Sequence, residues 1–496
     1  MSTALPARLP RPALRRPAWL SPRVARVEVL AGLVTALALI PEVISFSIIA
    51  GVDPRVGLFT SFVMAVTIAF TGGRPAMVSA AAGAVALVIA PLVRDHGLQY
   101  LIAAVLLGGV FQVLLGLLGV ARVMRFVPRS VMVGFVNALA ILILTAQLPQ
   151  LTDVPWPVYP LAAGGLLLIV LVPRLTTAVP APLIAIVVLT VLTVVAHVDV
   201  PTVGDQGELP DSLPGLGLPD VPFTLETLRI IAPYALAIAF VGLMESLMTA
   251  KLVDEITDSP SDKTRESIGQ GVANLAAGAF GGMGGCAMIG QTMINVRAGA
   301  RTRLSTFLAG VWLLVLVLVL SPVVAAIPMA ALVAVMVFVS LTTFDWHSLR
   351  TVRSMPRSET AVMVVTVVVV VATGNLAIGV GVGVVVACVL FARRVAHLVT
   401  LTPTDGPDGE RVYAVRGALF FASANELVDR FDYAGDPDRV VLDLSAAHVW
   451  DASSVAVLDA VGQKYAARGK ALEITGLTDV TGHYHQRLAG KLGGGA

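Results

Sequence analysis

Long apolar blocks separated by short polar loops fill most of the chain between residues 28 and 394. Because the blocks are apolar on all sides, they predict helices in an apolar environment, and many approach the length of about 20 residues that crosses a bilayer. Several are shorter. The fourteen blocks are 28–50, 54–71, 76–93, 98–120, 128–148, 158–172, 178–198, 226–250, 264–281, 287–297, 302–320, 322–341, 359–373 and 376–394. They predict a polytopic α-helical membrane protein with fourteen transmembrane segments, which has the lipid bilayer as a partner.

The placement of charge predicts the topology. Residues 1–26 form a predicted cytoplasmic tail that holds six arginines and no acid, as the positive-inside rule expects. Residues 199–225 hold five acids and neither Lys nor Arg, which predicts an extracytoplasmic loop. Basic residues recur after even-numbered blocks, at Arg122, Arg125, Arg129, Arg174, Arg297, Arg301, Arg303, Arg350, Arg353, Arg357, Arg393 and Arg394. This alternation predicts a multi-pass protein of the inner (plasma) membrane with both termini in the cytoplasm.

Composition excludes several classes of protein. The 496 residues carry a net charge of +2, and 56% are hydrophobic against 13% charged. So few charges cannot cover the surface of a soluble protein of this size, so a soluble enzyme, a nucleic-acid-binding protein and a disordered scaffold are excluded. Cys286 and Cys388 lie far apart in apolar blocks. They predict buried, inert thiols, with neither a disulfide framework nor a metal site.

A charged segment follows the eighth block. Its spacing matches no calcium-binding loop, so it predicts a solvated cytoplasmic turn. Its charged residues are Lys251, Asp254, Glu255, Asp258, Asp262, Lys263, Arg265 and Glu266.

Two similar glycine-rich segments indicate an internal repeat. Residues 69–79 read AFTGGRPAMVS and residues 279–290 read AFGGMGGCAMIG, each before the third block of its half. With seven spans per half, the halves must be inverted: a repeat at 27–198, an extracytoplasmic loop at 199–224 and a second repeat at 225–397. Glycine and proline interrupt both segments, so helices are expected to start near Ala76 and Ala287, inside the membrane. Two such N-termini would form an anion site from backbone dipoles; alternatively, the glycines only allow close helix packing.

Two acids lie deep in apolar blocks. Glu42 follows Pro41 in the first block, and Glu245 occupies a roughly matching position in the eighth. Ionisable groups in membrane spans are uncommon and usually functional. Each acid either carries a proton or pairs with a cation near the anion site, or makes a structural hydrogen bond. Phe46, one turn after Glu42, either belongs to the core or forms a wall of the anion pocket.

The composition changes near Thr402. Residues 398–408 are rich in Pro, Gly and Asp and predict a linker, and residues 409–496 alternate between strand-like and helix-like segments. They predict a small cytoplasmic α/β domain. Ser453 lies between a strand and a helix, where it is either part of a helix cap or a regulatory phosphorylation site. His483 and His485 are predicted to be surface residues.

Three stretches resemble the SulP family of sulfate permeases: AGLVTALALIPEVISFSIIAGVDPRVGLFTSF, VPRSVMVGFVNALAILILTAQLP and FVGLMESLMTAKLVDE with the glycine-rich segment after it. The segment VVLDLSAAHVWDASSVAVLDAV resembles a STAS domain. The resemblance implies a seven-plus-seven inverted repeat divided into core and gate domains, elevator-type movement, a homodimer and a possible cytoplasmic protein partner for the STAS domain. Its implied substrate-binding residues are Phe46, Ala76, Met77, Val78, Ala287, Met288, Ile289 and Gln291, with Glu42 and Glu245 in proton coupling.

One position departs from the family pattern. Many members carry a basic residue where this chain has Gln291. Without that fixed charge, proton-coupled symport of a small anion is expected, with dicarboxylate, bicarbonate or sulfate as the substrate. The alternatives are an uncoupled exchanger or channel, and a sodium-coupled bicarbonate or sulfate symporter. The protein is expected to be no enzyme and to need no cofactor besides an ion gradient, H⁺ or Na⁺.

Overall fold

The structure is a computed structural model that describes residues 21–119, 127–176, 179–210, 212–396, 399–407 and 409–477. The chain divides into two compact units, one up to Gly383 and one from Val384. The tail arginines before residue 21, Arg122, Arg125, His483 and His485 lie outside the described residues.

The first unit is helical. Every one of the fourteen predicted apolar blocks overlaps a helix, and a short helix, α13, lies between the twelfth and thirteenth. Its elements, the last of which continues into the second unit, are α1 (Pro22–Ala50), α2 (Pro54–Thr71), β1 (Ser79–Ala80), α3 (Gly83–His96), α4 (Leu98–Leu117), α5 (Arg129–Thr145), α6 (Val158–Leu171), α7 (Ala181–Val195), α8 (Leu225–Thr257), α9 (Lys263–Ala279), β2 (Cys286–Ala287), α10 (Ile289–Arg297), α11 (Arg303–Ala325), α12 (Met329–Thr343), α13 (Trp346–Thr351), α14 (Arg357–Thr373) and α15 (Leu376–Ala396). Among the described residues, eight helices have the length and hydropathy to cross a membrane. The number of fourteen spans stays a prediction.

The helices of this unit pack in two groups. In the first group α4 packs on α8 and α9, while α11 packs on α1 and α2; in the second, α12 packs on α5 and α6, and α14 packs on α5. Small residues allow close approach within the first group. A Cβ atom on Gly109 would lie 2.9 Å from the carbonyl oxygen of Gly271, and one on Gly310 would lie 3.0 Å from Cβ of Ala65. Helices of the first half therefore pack on helices of the second half: α2 packs on α11, and α4 packs on α9.

The two glycine-rich segments meet as extended chain. β1 pairs antiparallel with β2, with Ser79 opposite Ala287 and Ala80 opposite Cys286. This pairing keeps the first segment extended, so α3 begins at Gly83 and the predicted start near Ala76 is wrong. The second helix, α10, begins at Ile289, close to its predicted start. The structurally equivalent positions of the two segments are their N-caps, Ala82 and Met288. The similar sequences AMV, at residues 76–78, and AMI, at residues 287–289, therefore do not occupy equivalent positions.

The second unit contains a four-stranded sheet in the order β3-β4-β5-β6. β3 and β4 are antiparallel, and the other two pairs are parallel. Its elements are β3 (Thr400–Asp405), β4 (Arg411–Leu419), α16 (Phe421–Ala424), β5 (Arg439–Val449), α17 (Ala452–Ala466) and β6 (Ala471–Thr475), with a 3₁₀ turn at Asn425–Arg430. The alternation of strands and helices is as predicted, but most of the predicted linker forms β3, because its Thr and Leu residues pair with β4.

Two further predictions need correction. Cys286 is buried, whereas Cys388 is exposed on α15, whose outer face is apolar. The charged segment that follows the eighth apolar block forms the end of α8, a turn and the start of α9. It is only partly solvated, because Glu266 is fully buried and Asp254 forms ion pairs with Arg74 and Lys263.

Candidate functional site

A cavity of about 680 Å³ lies between the two groups of helices in the first unit. α1, α3, α8 and α10 contribute its polar and backbone wall, and α5, α6, α7 and α12 contribute mostly apolar side chains. Of the residues predicted from the sequence, the cavity brings together Glu42, Phe46, Glu245, Met288, Ile289 and Gln291. It leaves out Ala76, Met77, Val78 and Ala287, and Ala82, Gly83 and Ala84 form its wall on the α3 side instead.

Two helix N-termini meet this cavity. α3 starts after Ala82 and α10 starts after Met288; both N-caps are extended, and no side chain caps either helix. The first N–H groups of a helix have no partner within the helix, and they carry the positive end of its dipole. The cavity therefore has two sets of backbone donors suited to an anion.

Phe46 packs directly against the start of α3. A Cβ atom built on Gly83 would lie 2.7 Å from Cε1 of the Phe46 ring, which is too close for any side chain. Glycine at this position therefore allows the ring to lie against the start of α3, and Phe46 forms an apolar side of the cavity.

Gln291, in the first turn of α10, places its side-chain amide in the cavity. It is 1% exposed, and neither atom of its amide has a hydrogen-bond partner among the described residues. The Glu42 carboxyl of α1 lies beside this amide without the alignment of a hydrogen bond. Because buried polar groups are nearly always paired, this amide is available to a ligand in the cavity.

Glu245 reaches the same cavity from α8, but its carboxyl accepts a hydrogen bond within the protein. Its Oε2 accepts a hydrogen bond of 2.9 Å from the Cys286 thiol. On the same helix, Ser246 Oγ accepts a bond of 3.0 Å from the Ala287 amide, and Thr249 Oγ1 donates to the Ala287 carbonyl oxygen at 3.3 Å. These bonds tie α8 to β2 at the start of α10, so Glu245 takes part in a structural contact between the spans.

The segment Ala76–Val78 supports the site from behind. Asn295 Nδ2 donates to the Ala76 carbonyl oxygen at 2.9 Å, Thr306 Oγ1 donates to that of Met77 at 3.1 Å, and the Val78 amide donates to Thr292 Oγ1 at 3.0 Å. Their backbone groups are thus occupied by α10 and α11, which explains why these residues do not line the cavity.

Sequence reasoning missed two buried acids that hold the loops of the site in place. Glu266 Oε2 accepts bonds from the amides of Gly73 at 2.7 Å and Arg74 at 3.0 Å. Glu28 accepts from the amides of Arg301, Thr302 and Ser305. The signal available was weak, since both acids lie within a turn or two of basic residues and look like solvated charges.

Ser453 lies exposed in the first turn of α17, and it does not cap the helix. The cap is Asp451, whose Oδ1 accepts from the Ser454 amide at 2.9 Å and whose Oδ2 accepts from the Phe421 amide at 2.7 Å. Phosphorylation of Ser453 stays a prediction. Across the described part of the chain, no group of three or more His, Cys, Asp or Glu side chains could hold a metal ion.

Comparison with known proteins places these features in a family. Residues 26–159 and 150–366 match the sulfate permease family, and residues 402–488 match the STAS domain. The putative sulfate transporter YbaR of Bacillus subtilis is 54% identical over 464 residues, which cover 94% of this chain and 97% of the relative. The bicarbonate transporter BicA of Picosynechococcus sp. is 26% identical over 494 residues, covering 88% and 86%.

A solved structure shows the same fold. The murine Solute Carrier 26 family member A9 anion transporter, in its inward-facing state, superposes with a TM-score of 0.80 at 17% identity, covering 95% of this chain and 89% of the other. At that identity the likeness concerns the fold alone. Taken with the sequence matches, it shows that the chain is a multi-pass membrane protein of the sulfate permease family with a C-terminal STAS domain.

Proposed function

We propose that this protein is a secondary active transporter that carries a small anion together with a proton. The observation that carries the proposal is the cavity in which two uncapped helix N-termini meet the free amide of Gln291 and the Glu42 carboxyl. The named activities of the relatives, sulfate and bicarbonate transport, support an anion as the substrate.

The charge of the site favours an anion of low charge density. Beside Glu42 its donors are backbone N–H groups and one amide, while Arg297 lines the far end of the cavity. Among the described residues no Lys or Arg forms an ion pair with Glu42 or Glu245. A site without a fixed positive charge holds a doubly charged sulfate less well than one that has such a charge. We therefore place bicarbonate, or a dicarboxylate bound in its singly charged form, ahead of sulfate as the substrate.

Glu42 supplies the coupling in this proposal. An ionised carboxylate in the cavity would repel a bound anion, and net charge inside the membrane is costly. A proton on Glu42 removes the repulsion and lowers the net negative charge that crosses with the anion. The anion and the proton then cross together, and the anion leaves when Glu42 releases its proton.

The packing of the helices supports movement of one group against the other. β1, β2, α3 and α10 all belong to the group built on α1–α4 and α8–α11, and the opposite wall of the cavity belongs to the second group. We propose that the first group carries the anion past the second in an elevator-type movement.

The far end of the cavity indicates its orientation. Four residues line this end: Pro173 follows α6, Pro180 precedes α7, Arg297 is the last residue of α10, and Thr343 is the last residue of α12. The charge pattern places all of these loops in the cytoplasm. We propose that both termini are cytoplasmic and that this conformation opens inward, with exposed Arg297 attracting anions to the mouth. A homodimer and a protein partner of the STAS domain stay predictions from the family resemblance.

The proposal is tested by uptake into proteoliposomes. Labelled succinate, bicarbonate and sulfate are each offered with and without an inward proton gradient. One anion should accumulate only with the gradient, and Glu42→Gln should abolish the dependence on pH while binding of the anion persists. Glu255→Gln, at an exposed acid of α8, serves as the control.

Other outcomes would change the conclusion. A dependence on Na⁺ with no response to the proton gradient would make the protein a sodium symporter. Currents at constant pH that do not depend on any gradient of coupling ion would make it a channel or an exchanger. Unchanged pH dependence in Glu42→Gln would refute the coupling role of Glu42.

A further inference from the structure

A second depression, of about 530 Å³, lies at one end of the first group of helices and is distinct from the anion cavity. It is formed where α2 ends and α11 begins. Its wall includes Arg301, Arg303, Phe70 and Phe307, together with Pro75 of the loop after α2.

The two arginines of this depression have unused hydrogen-bonding capacity. Arg303 donates to the carbonyl oxygens of Ala69 at 3.1 Å and Gly72 at 2.6 Å. Arg301 donates to the carbonyl oxygens of Val296, in α10, and Ala300, in the loop after it. A guanidinium has more N–H donors than these bonds use. Among the described residues, neither arginine forms an ion pair with a carboxylate.

The acids on the adjoining elements do not neutralise these arginines by direct contact. Glu28 of α1 and Glu266 of α9 direct their carboxylates at backbone amides, and Asp254 pairs with Arg74 and Lys263. Arg265 adds a further positive charge, since it donates to the carbonyl oxygens of Phe70 and Thr71. This end of the helix group therefore presents three arginines, Arg265, Arg301 and Arg303, that form no ion pair among the described residues, although the charge of Glu266 acts on Arg303.

Aromatic rings border the arginines on the side of the helix shafts. Phe70 is 67% exposed, and its ring lies 5.7 Å from that of Phe307 in an edge-to-face contact. α2 and α11 both have the length and hydropathy of membrane spans. We infer that a depression at the ends of two such spans lies at the level of the lipid headgroups, with its basic part toward water and its aromatic part toward the acyl chains.

We propose that this depression binds an anionic phospholipid, whose phosphate contacts Arg301 and Arg303 and whose acyl chain lies along Phe70 and Phe307. The charge of the arginines and the apolar rings beside them match the two parts of such a lipid. A soluble phosphate would satisfy only the arginines. The bound lipid would fasten the ends of α2 and α11, which adjoin the loops leading to β1 and α10.

Native mass spectrometry of the full-length protein tests the proposal, with phosphatidylglycerol as the probe and phosphatidylcholine as its neutral counterpart. Wild type should retain phosphatidylglycerol and gain thermal stability from it. Arg301→Gln should bind it roughly fivefold more weakly, and Phe70→Ala should also bind it more weakly. Arg303 is left unchanged because its bonds hold the end of α2.

Arg353→Gln provides the matched control, since Arg353 is exposed in the turn between α13 and α14. It should bind phosphatidylglycerol like wild type. Equal losses in Arg301→Gln and Arg353→Gln would show unspecific attraction and overturn the proposal. Equal stabilisation of wild type by inorganic phosphate would also overturn it, in favour of a site for a soluble anion. If Arg301→Gln does not fold, Arg301→Lys and Phe70→Ala decide the outcome: unchanged binding in Phe70→Ala refutes a lipid.

Discussion

The ring of Phe46 and the backbone of Gly83 are in such close contact that a single methyl group cannot be placed between them: a Cβ atom on Gly83 would lie 2.7 Å from Cε1 of the ring. The contact joins α1, which carries Glu42, to the N-terminus of α3. It therefore couples the proposed proton site to one of the two sets of anion-binding amides.

Gly83→Ala should impair transport. The methyl group must displace the ring or shift α3, either of which disturbs the pocket wall, and overpacking of this kind costs about 1–3 kcal/mol. We expect an apparent affinity for the anion roughly tenfold lower, measured by uptake at a range of concentrations. Gly164→Ala, on α6 where a Cβ atom meets nothing within 4 Å, should transport like wild type. Equal affinities in all three proteins would contradict this role for the contact.

Gln291→Arg should change both selectivity and coupling. An arginine beside Glu42 would pair with the ionised carboxylate and supply a fixed positive charge to the cavity. We expect sulfate to compete better with the native anion and the dependence of uptake on the proton gradient to fall. Gln291→Glu, which adds negative charge, should abolish uptake. Persistence of full proton dependence in Gln291→Arg would argue against Glu42 as the coupling group.

Glu266→Ala should destabilise the first unit. The change leaves the amides of Gly73 and Arg74 without their acceptor, at a cost of about 3 kcal/mol. We expect a clearly lower unfolding temperature in detergent. Glu255→Ala removes an exposed acid one helix earlier and should stay within about 0.5 kcal/mol of wild type. A wild-type unfolding temperature for Glu266→Ala would show that water or other groups replace the carboxylate.

The STAS domain should lose stability in alkali. Burial raises the pKa of Tyr433 from its usual 10 to about 12, and it also raises the pKa values of Tyr413 and Tyr465. The folded domain therefore favours the protonated phenols, and this stabilisation, complete below pH 10, disappears as the pH rises toward 12. Near-ultraviolet circular dichroism of thermal unfolding should show a smaller alkaline loss in Tyr433→Phe. Tyr159→Phe, at an exposed tyrosine of α6, should behave like wild type.

Hydropathy predicted where the helices lie because every apolar block is a local feature of the chain. The start of α3 could not be predicted in this way. Residues 77–80 stay extended only because β1 pairs with β2 some 200 residues later, and because Thr292 and Thr306 bind backbone groups of this segment. Nothing in the segment AMVS indicates that pairing.

The buried polar residues also include some that could be predicted from the sequence and one that could not. Glu42 was found because an acid in an apolar block is conspicuous, and Gln291 was found through the resemblance to the family. Glu266 was not, since it follows a run of charged residues and resembles them. Its burial depends on the amides of Gly73 and Arg74, which the fold brings to it from the other half of the chain.

The β1–β2 pair has a consequence for the direction of transport. The two helix N-termini are joined through four paired residues, so neither can turn without the other. In the proposed cycle, the pair of helix N-termini that receives an anion on one side of the membrane therefore reaches the opposite side with its geometry unchanged. The direction of anion transport must then be set by the groups around the two N-termini, namely the proton on Glu42 and Arg297 at the mouth of the cavity. It does not come from a change in how the backbone amides bind the anion.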